Sequence, residues 1–407
     1  MALTIALDDQ TADLVQVASL AELSEKGSKV IKVGRKQILL WHGNKGVFAC
    51  NNRCPHEGYP LKEGTVSDGC ILTCNWHNWK FDLESGDTLV GGDKLRRYPV
   101  ELRGDEIWLD VSDPSGNERA DLAIVSLKDS FRRLEYDRMA REIARLKAAG
   151  ADPLDAIRSA FAWTHDHLEY GTTHAQAAAA DWLAMRQELA TDEADDLVPL
   201  VEIVGHLAYD SLREQCYPFP QEVMPYNQEG LVAAIEEENE DAAIAYLRGA
   251  LKSGLSYGDL LPALARAALT HYADFGHSAI YVYKTGQLID HIGPEVAEPL
   301  LLALVRSLCY AFREDLIPEF RGYQEKTTAL AANLSNRGKT PITAADFRGL
   351  SAKRAMALCV ESKASQQDLF DALLGTAAWN MLYFDRSYEQ RSDRPVSDNV
   401  GWLDFTV

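Results

Sequence analysis

Along the first 110 residues, apolar positions come in short runs cut by turn residues. Residues 29–33 end at Gly34, 37–41 at Gly43-Asn44 and 47–50 at Asn51-Asn52. Further runs cover 70–73, 79–81, 98–102 and 106–109, and Arg103-Gly-Asp-Glu106 reads as a hairpin turn. Closely spaced short strands of this kind predict a small antiparallel sandwich or barrel. From about residue 118 the pattern changes to alanine-rich stretches with a 3.6-residue period, such as 130–147. This period predicts helices over 153–168, 173–190, 197–214, 229–236, 239–253, 258–274, 277–291, 295–314, 343–360 and 366–382. Asp113-Pro-Ser-Gly-Asn117 reads as the start of a linker. The expected architecture is multidomain, α and β: an all-β domain over 1–112, a linker over 113–128 and a larger all-helical domain over 129–407.

The helical region echoes itself. Gly150, Thr164-His165, Tyr170-Gly171, His174, Pro199 and Tyr209 recur in order as Gly254, Thr270-His271, Phe275-Gly276, His277, Pro299 and Tyr310. A duplication with repeats at 130–220 and 238–323 is the expectation.

Composition narrows the classes. The 407 residues are 46% hydrophobic and 25% charged, as in globular proteins. The net charge of −20, most of it beyond residue 110, opposes binding to nucleic acid or anionic membranes. No apolar run reaches the length of a membrane span, and the first residues carry no secretory signal pattern. Seven cysteines in a long chain do not form a secreted disulfide framework, so a reducing, cytoplasmic setting is expected. The apolar end, 399–407, reads as a docking strand or as the edge of a longer natural chain.

One motif stands above the rest. Cys54-Pro-His56 is followed after seventeen residues by Cys74-Asn-Trp-His77. Each half offers a thiolate and an imidazole on a short turn. Two such turns brought together supply two sulfur and two nitrogen ligands, which suits a [2Fe–2S] centre of mixed ligation. A structural zinc is the alternative, although zinc knuckles use C-x2-C or H-x3–5-H pairs rather than C-x-H.

The flanking stretches, Cys54-Pro-His-Glu-Gly58 and the run from His77 through Trp79 and Phe81 to Gly86, resemble the cluster loops of Rieske-type ferredoxins and oxygenase components. The resemblance covers roughly residues 15–110. It implies a [2Fe–2S] cluster held by Cys54, His56, Cys74 and His77, with the cysteines on a buried iron and the histidines at an exposed edge. It also implies that Gly58 and Gly86 are turn glycines. Respiratory Rieske proteins carry an extra cysteine in each loop; here those positions are Tyr59 and Trp76. Without that disulfide the low-potential ferredoxin or oxygenase subtype is expected.

The resemblance stops there. Ring-hydroxylating Rieske oxygenases bind a mononuclear iron in a β-rich domain through an Asp-x2-His-x4–5-His pattern. Asp274-Phe-Gly-His277 starts such a pattern, but Val282 and Tyr283 stand where the second histidine belongs. No nucleotide-binding glycine motif occurs, so an external electron donor, a reductase or ferredoxin, is expected. Seven of the ten histidines lie in the helical region: His165, His167, His174, His206, His271, His277 and His291. The repeat-matched pairs His165/His174 and His271/His277 are candidates for a second metal, heme or substrate site. The competing reading makes them buried hydrogen-bonding residues that fix helix packing. Two functions follow. One is an oxidoreductase passing electrons from the cluster to a site among the helical histidines, where a small molecule reacts. The other is a non-catalytic electron carrier or redox sensor with a helical interaction scaffold. Substrate and oligomeric state have no signal in the sequence.

Overall fold

The computed structural model describes residues 4–5, 14–189, 196–270, 274–334, 337–338 and 340–383. Three small sheets fill the N-terminal part. The first pairs β1 (Thr4–Ile5), β3 (Ser28–Val33), β4 (Lys36–Gly43) and β5 (Gly46–Asn51) in that order. The second pairs β10 (Val100–Arg103), β11 (Glu106–Asp110) and β2 (Leu14–Ser19). The third is a meander of β6 (Thr65–Ser67), β7 (Ile71–Thr73), β8 (Lys80–Asp82) and β9 (Thr88–Val90). A short helix, α1 (Leu20–Lys26), capped by the Ser19 side chain, joins β2 to β3.

The first sheet is buried on both faces, and its sequence says why. In β4 the run Ile38-Leu39-Leu40 is continuously apolar, which a one-sided strand would not be. Ile38 and Leu40 join Ile31, Ala49, Tyr98, Ile107 and Leu109 in one core, on the side of the second sheet. Leu39 points the other way, with Cys50, Leu61, Leu72 and Phe81, into a second core. That second core contains Cys54 and Cys74.

Fifteen residues after the last strands, the chain is already well inside a helix. Helix α2 (Gly116–Arg133) begins with a capping box, Ser115 bonding the Glu118 amide and Glu118 bonding back. Most of the stretch expected as linker is therefore helical; the Pro114 and Gly116 that suggested a linker flank the cap. Helix α3 (Tyr136–Ala149) buries Met139, Ile143 and Leu146 at i, i+4, i+7, and ends at Gly150 with φ +84°. Helices α4 (Asp155–Thr164), α5 (His174–Leu189) and α6 (Val198–Asp210) follow. All of these group with the β sheets in one compact unit, made of 1–168, 173–217 and 291–299.

A second unit holds 169–172, 218–290 and 300–407. Its helices are α7 (Gln228–Glu236), α8 (Glu240–Lys252), α9 (Tyr257–Thr270), α10 (His277–Ile292) and α11 (Ala297–Cys309), the last two sharing their ends with the first unit. Then come α12 (Tyr323–Asn333), α13 (Ala344–Phe347), α14 (Ala352–Glu361) and α15 (Gln366–Leu382). The single helix expected over 343–360 breaks where Gly349 takes φ +71°. Gly276, at φ +93°, follows Asp274 and Phe275 in the same left-handed region and separates α9 from α10. The apolar end, 399–407, and His271 lie outside the described residues.

Within the first unit, β domain and helices are joined by a buried charge. Asp93, 1% exposed, accepts from Arg141 at 3.0 Å and Arg145 at 2.7 Å, both on α3. Next to it Arg138 is held by Asp129 and Glu135, each at 2.9 Å, and Glu142 by Ser126 and Arg145. Replacing Asp93 by Ala takes the buried carboxylate from two partly buried guanidiniums, leaving Arg141 with Asp137 and Arg145 with Glu142. A loss of about 3 kcal/mol is expected, read as a lower urea midpoint by tryptophan fluorescence; an unchanged midpoint would show that this clamp does not hold the unit together.

Candidate metal centre

Two loops carry the predicted ligands, and they are built alike. In the first, the Cys54 amide donates to the Tyr59 carbonyl and the Gly58 amide to the Cys54 carbonyl, at 2.9 and 2.8 Å. In the second, the Cys74 amide donates to Trp79 and the Asn78 amide to Cys74, at 2.8 and 2.9 Å. Both loops turn at the fourth residue after the cysteine, where Gly58 has φ +77° and Asn78 φ +58°. Asparagine is among the few residues with a side chain that tolerate this region. Asn78 is thus the counterpart of Gly58, a match the sequence reading missed although the shared spacing from each cysteine signals it. Gly86, expected as a turn glycine, has φ +81°.

The loops rise from firm bases. Asn52, buried, takes the Lys62 amide on its side chain while its backbone bonds Gln37 and Leu61. The second loop closes the β7–β8 hairpin, in which Leu72 pairs with Phe81.

The side chains divide by depth. Cys54 is 3% exposed and Cys74 1%; both are free thiols. Burial pushes the Cys54 thiol up to about 11, the backbone amides of His56 and Glu57 oppose that, and neighbouring Cys74 adds to it. His56 and His77 lie nearer the surface, with their Nδ1 atoms 3.1 Å apart. Two imidazoles on one tetrahedral ion put their nitrogens about 3.4 Å apart. Glu57 flanks both rings, each of its oxygens 3.9 Å from a ring nitrogen.

Aromatic rings hold the imidazoles in place. His56 stacks on Trp79, centroids 4.6 Å apart and planes 13° from parallel. His77 stacks on Trp76, which Tyr59 meets edge-on. Behind Trp79 lies Gly91, at φ +123°. A Cβ there would fall 2.3 Å from the indole, so the chain passes only because the residue is glycine.

The two other cysteines of this region are core residues. Cys50 is buried, its thiol pushed up to about 12 by desolvation. Cys70 is buried with Lys45 Nζ 3.4 Å from its sulfur. The helical candidates sit elsewhere. His165 caps α4 and places Nδ1 3.1 Å from the Ala162 carbonyl. His277 opens α10 with Nδ1 2.5 Å from the Asp274 carbonyl. His174, exposed, opens α5. Among the described residues, trios of candidate metal ligands within mutual reach are His56–Glu57–His77 and Cys70–Asp82–Glu84, both in the β domain.

The contact behind Trp79 yields a direct test. Gly91→Ala is expected to cost about 1–3 kcal/mol by overpacking against the indole. In a Trp79→Leu background the same change should cost clearly less, because the clashing ring is gone. Equal costs in urea unfolding would dismiss the contact.

Comparison with known proteins agrees with this geometry. Residues 13–97 match the Rieske [2Fe-2S] domain family. The ferredoxin subunit of a 3-phenylpropionate/cinnamic acid dioxygenase from Photorhabdus laumondii is 29% identical over 24% of this chain and 93% of its own length. The subunit of that name from Shigella boydii is 32% identical over 18% of this chain and 72% of its own. A 4beta-methylsterol monooxygenase from Methylococcus capsulatus is 32% identical over 23% of this chain, which spans only 28% of that enzyme. Among solved structures, the ferredoxin of carbazole 1,9a-dioxygenase from Nocardioides aromaticivorans aligns over 24% of this chain and 98% of its own, at 24% identity and a TM-score of 0.23. Buried sulfurs, converging imidazoles and the family match together identify the N-terminal quarter as a domain that binds a [2Fe-2S] cluster, and through it the chain belongs to the Rieske iron–sulfur proteins.

Proposed function

We propose that the protein is a one-electron carrier of an oxidoreductase system, its cluster fed by an external reductase or ferredoxin and its helices serving as a scaffold. The observation that carries this reading is the depth order of the four ligand residues, sulfurs inside and imidazoles at the rim. When bound, the cluster supplies reversible one-electron chemistry. Cys54 and Cys74 would hold its inner iron, and their burial keeps water from the sulfurs. The amides of His56 and Glu57 favour the Cys54 thiolate. His56 and His77 would hold the outer iron through Nδ1, which leaves each Nε2 for a partner. Trp79 keeps the His56 ring in its plane, and Glu57, beside both rings, can take a hydrogen bond from His56 Nε2 through a water.

Coverage of the relatives supports a carrier. The chain spans 93% of one Rieske ferredoxin subunit and 80% of the ferredoxin component of an alkene monooxygenase system, yet only 28% of the sterol monooxygenase. The helical histidines support a scaffold. His165 and His277 each turn a ring nitrogen to a carbonyl three residues back, a bond that serves helix ends. We further read α3–α6 and α8–α11 as two copies of one four-helix element. His174 and His277 each open a 16-residue helix, and Pro199 and Pro299 lie near the starts of two 13-residue helices. A reducing, cytoplasmic setting suits the free thiols.

Anaerobic EPR of the reduced protein, with metal analysis on the same sample, tests this. A rhombic signal with about two irons per chain is expected. Cys54→Ser should abolish the signal, while His174→Ala and His277→Ala should leave both signal and metal content unchanged. A further metal that leaves with either histidine would replace the scaffold by a second catalytic site.

A further inference from the structure

Between α9 and α10 the second unit carries a groove of about 340 Å³. Its volume lies in the range of small-molecule sites. One end is built around Tyr257, the first residue of α9. The Tyr257 hydroxyl donates to the Val282 carbonyl, and its ring lies so close to Gly286 that a Cβ there would fall 2.5 Å away. Only glycine lets the ring seat against α10 in this way. Beyond it the walls are Leu261, Leu269 and Tyr283, which are 39%, 54% and 63% exposed. Surface helices ordinarily turn polar side chains to solvent; here two neighbouring helices leave apolar side chains along a shared cleft.

The polar end of the groove offers acceptors. Asp290 lines it, and among the described residues no lysine, arginine or histidine does. Asp290 is exposed and makes no ion pair among the described residues. It stands near the Tyr257 hydroxyl: burial first, and then the Asp290 charge, push that phenol up to about 12. Gln287, one turn before Asp290, donates from Nε2 to the Tyr283 hydroxyl at 3.2 Å and leaves Oε1 without a partner, shielded from water. An acceptor left in that state costs about 1–3 kcal/mol. Lys284 lies outside the lining; its Nζ is 5.7 Å from the Tyr283 ring centroid, about 9 Å of helix axis before Asp290. The Asp290 end of the groove thus holds a carboxylate and an unbonded amide oxygen, with no cation of the lining to neutralise them.

We propose that this groove binds a primary organic ammonium ion, its charged head at Asp290 and Gln287 and its hydrocarbon body between Leu261 and Tyr283. An ammonium group brings three donors and no acceptor, which matches two acceptors one helical turn apart. The apolar walls would contribute little to a bare inorganic cation, so they select for a ligand with a hydrocarbon part. The chain's net charge of −20 acts in the same direction, since it draws cations to the surface. The inference is independent of the electron-carrier reading.

Isothermal titration of the full, cluster-loaded protein with octylamine, octan-1-ol and octanoate tests it. The three probes share a chain and differ in their head groups. Octylamine should bind about three- to ten-fold tighter than octanol, the span between an exposed ion pair and a charge-assisted hydrogen bond, and octanoate should bind more weakly than octanol. Asp290→Asn, at an exposed position, should erase the preference for amine over alcohol while the unfolding midpoint stays in place. Ala265→Trp, which fills the groove from a half-buried position on α9, should weaken both amine and alcohol about ten-fold by denying the chain its apolar walls. If that variant does not fold, Asp290→Asn decides alone. Equal binding of amine and alcohol, an amine preference that survives Asp290→Asn, or binding that survives Ala265→Trp would overturn the proposal.

Discussion

Two sulfurs must sit out of water while two imidazoles, two and three residues further along the chain, stay at its edge. That constraint shapes the β domain. A loop that turns back within five residues cannot bury both its cysteine and its histidine, so each loop stands on end, with its cysteine at the base and its histidine near the tip. The base needs an apolar floor, and the two-faced β4 supplies it through Leu39, with Cys50, Leu72 and Phe81 around it. The tip needs a tight reversal, which Gly58 and Asn78 supply in left-handed conformations. Burial alone would favour the neutral thiol; the amides of His56 and Glu57 bring the Cys54 sulfur back toward the thiolate that iron requires.

The tip poses a second problem, since an exposed imidazole is free to swing. Stacking answers it. Trp79 lies nearly parallel to His56, and Gly91 lets the backbone close directly behind the indole. Two residues later Asp93 enters a nest of α3 arginines. Ring orientation at the metal centre and attachment of the first helices are therefore consecutive features of one short segment, 91–93. That is a physical reason why the compact units do not divide where β gives way to α: helices α2 and α3 complete the support of the cluster loops.

The parts of this arrangement differ in how far the sequence exposes them. The candidate ligand set stands out in the sequence because metal chemistry restricts residue type and spacing together, and few other demands produce C-x-H and C-x2-H on two turns. The central sheet was legible as an unbroken apolar run at 38–40. Asn78 was not, because what matters there is a backbone angle that its residue type allows without announcing. Asp93 was not, because its partners lie 48 and 52 residues away on a helix whose acidic and basic residues read equally well as a solvated face. The start of α2 was hidden for a different reason: Ser115 and Glu118 form a cap inside a stretch whose proline and glycine signal a break.

The helical histidines show where residue type fails as a guide. Histidine bonds a metal or a carbonyl through the same ring nitrogens, so a matched pair in two repeats is equally consistent with a duplicated site and a duplicated cap. Position along the helix separates the two. A ligand set has to project from adjacent turns of facing helices toward one point, as in bundle metal centres. His174 and His277 instead occupy the first residue of their helices, and His165 the residue that closes α4, with His165 and His277 each bonded to a carbonyl of its own turn. Helix ends recur when a helical element is copied, because each copy inherits the same unsatisfied backbone groups. Under the scaffold reading, duplication of a fold element accounts for the histidine pattern.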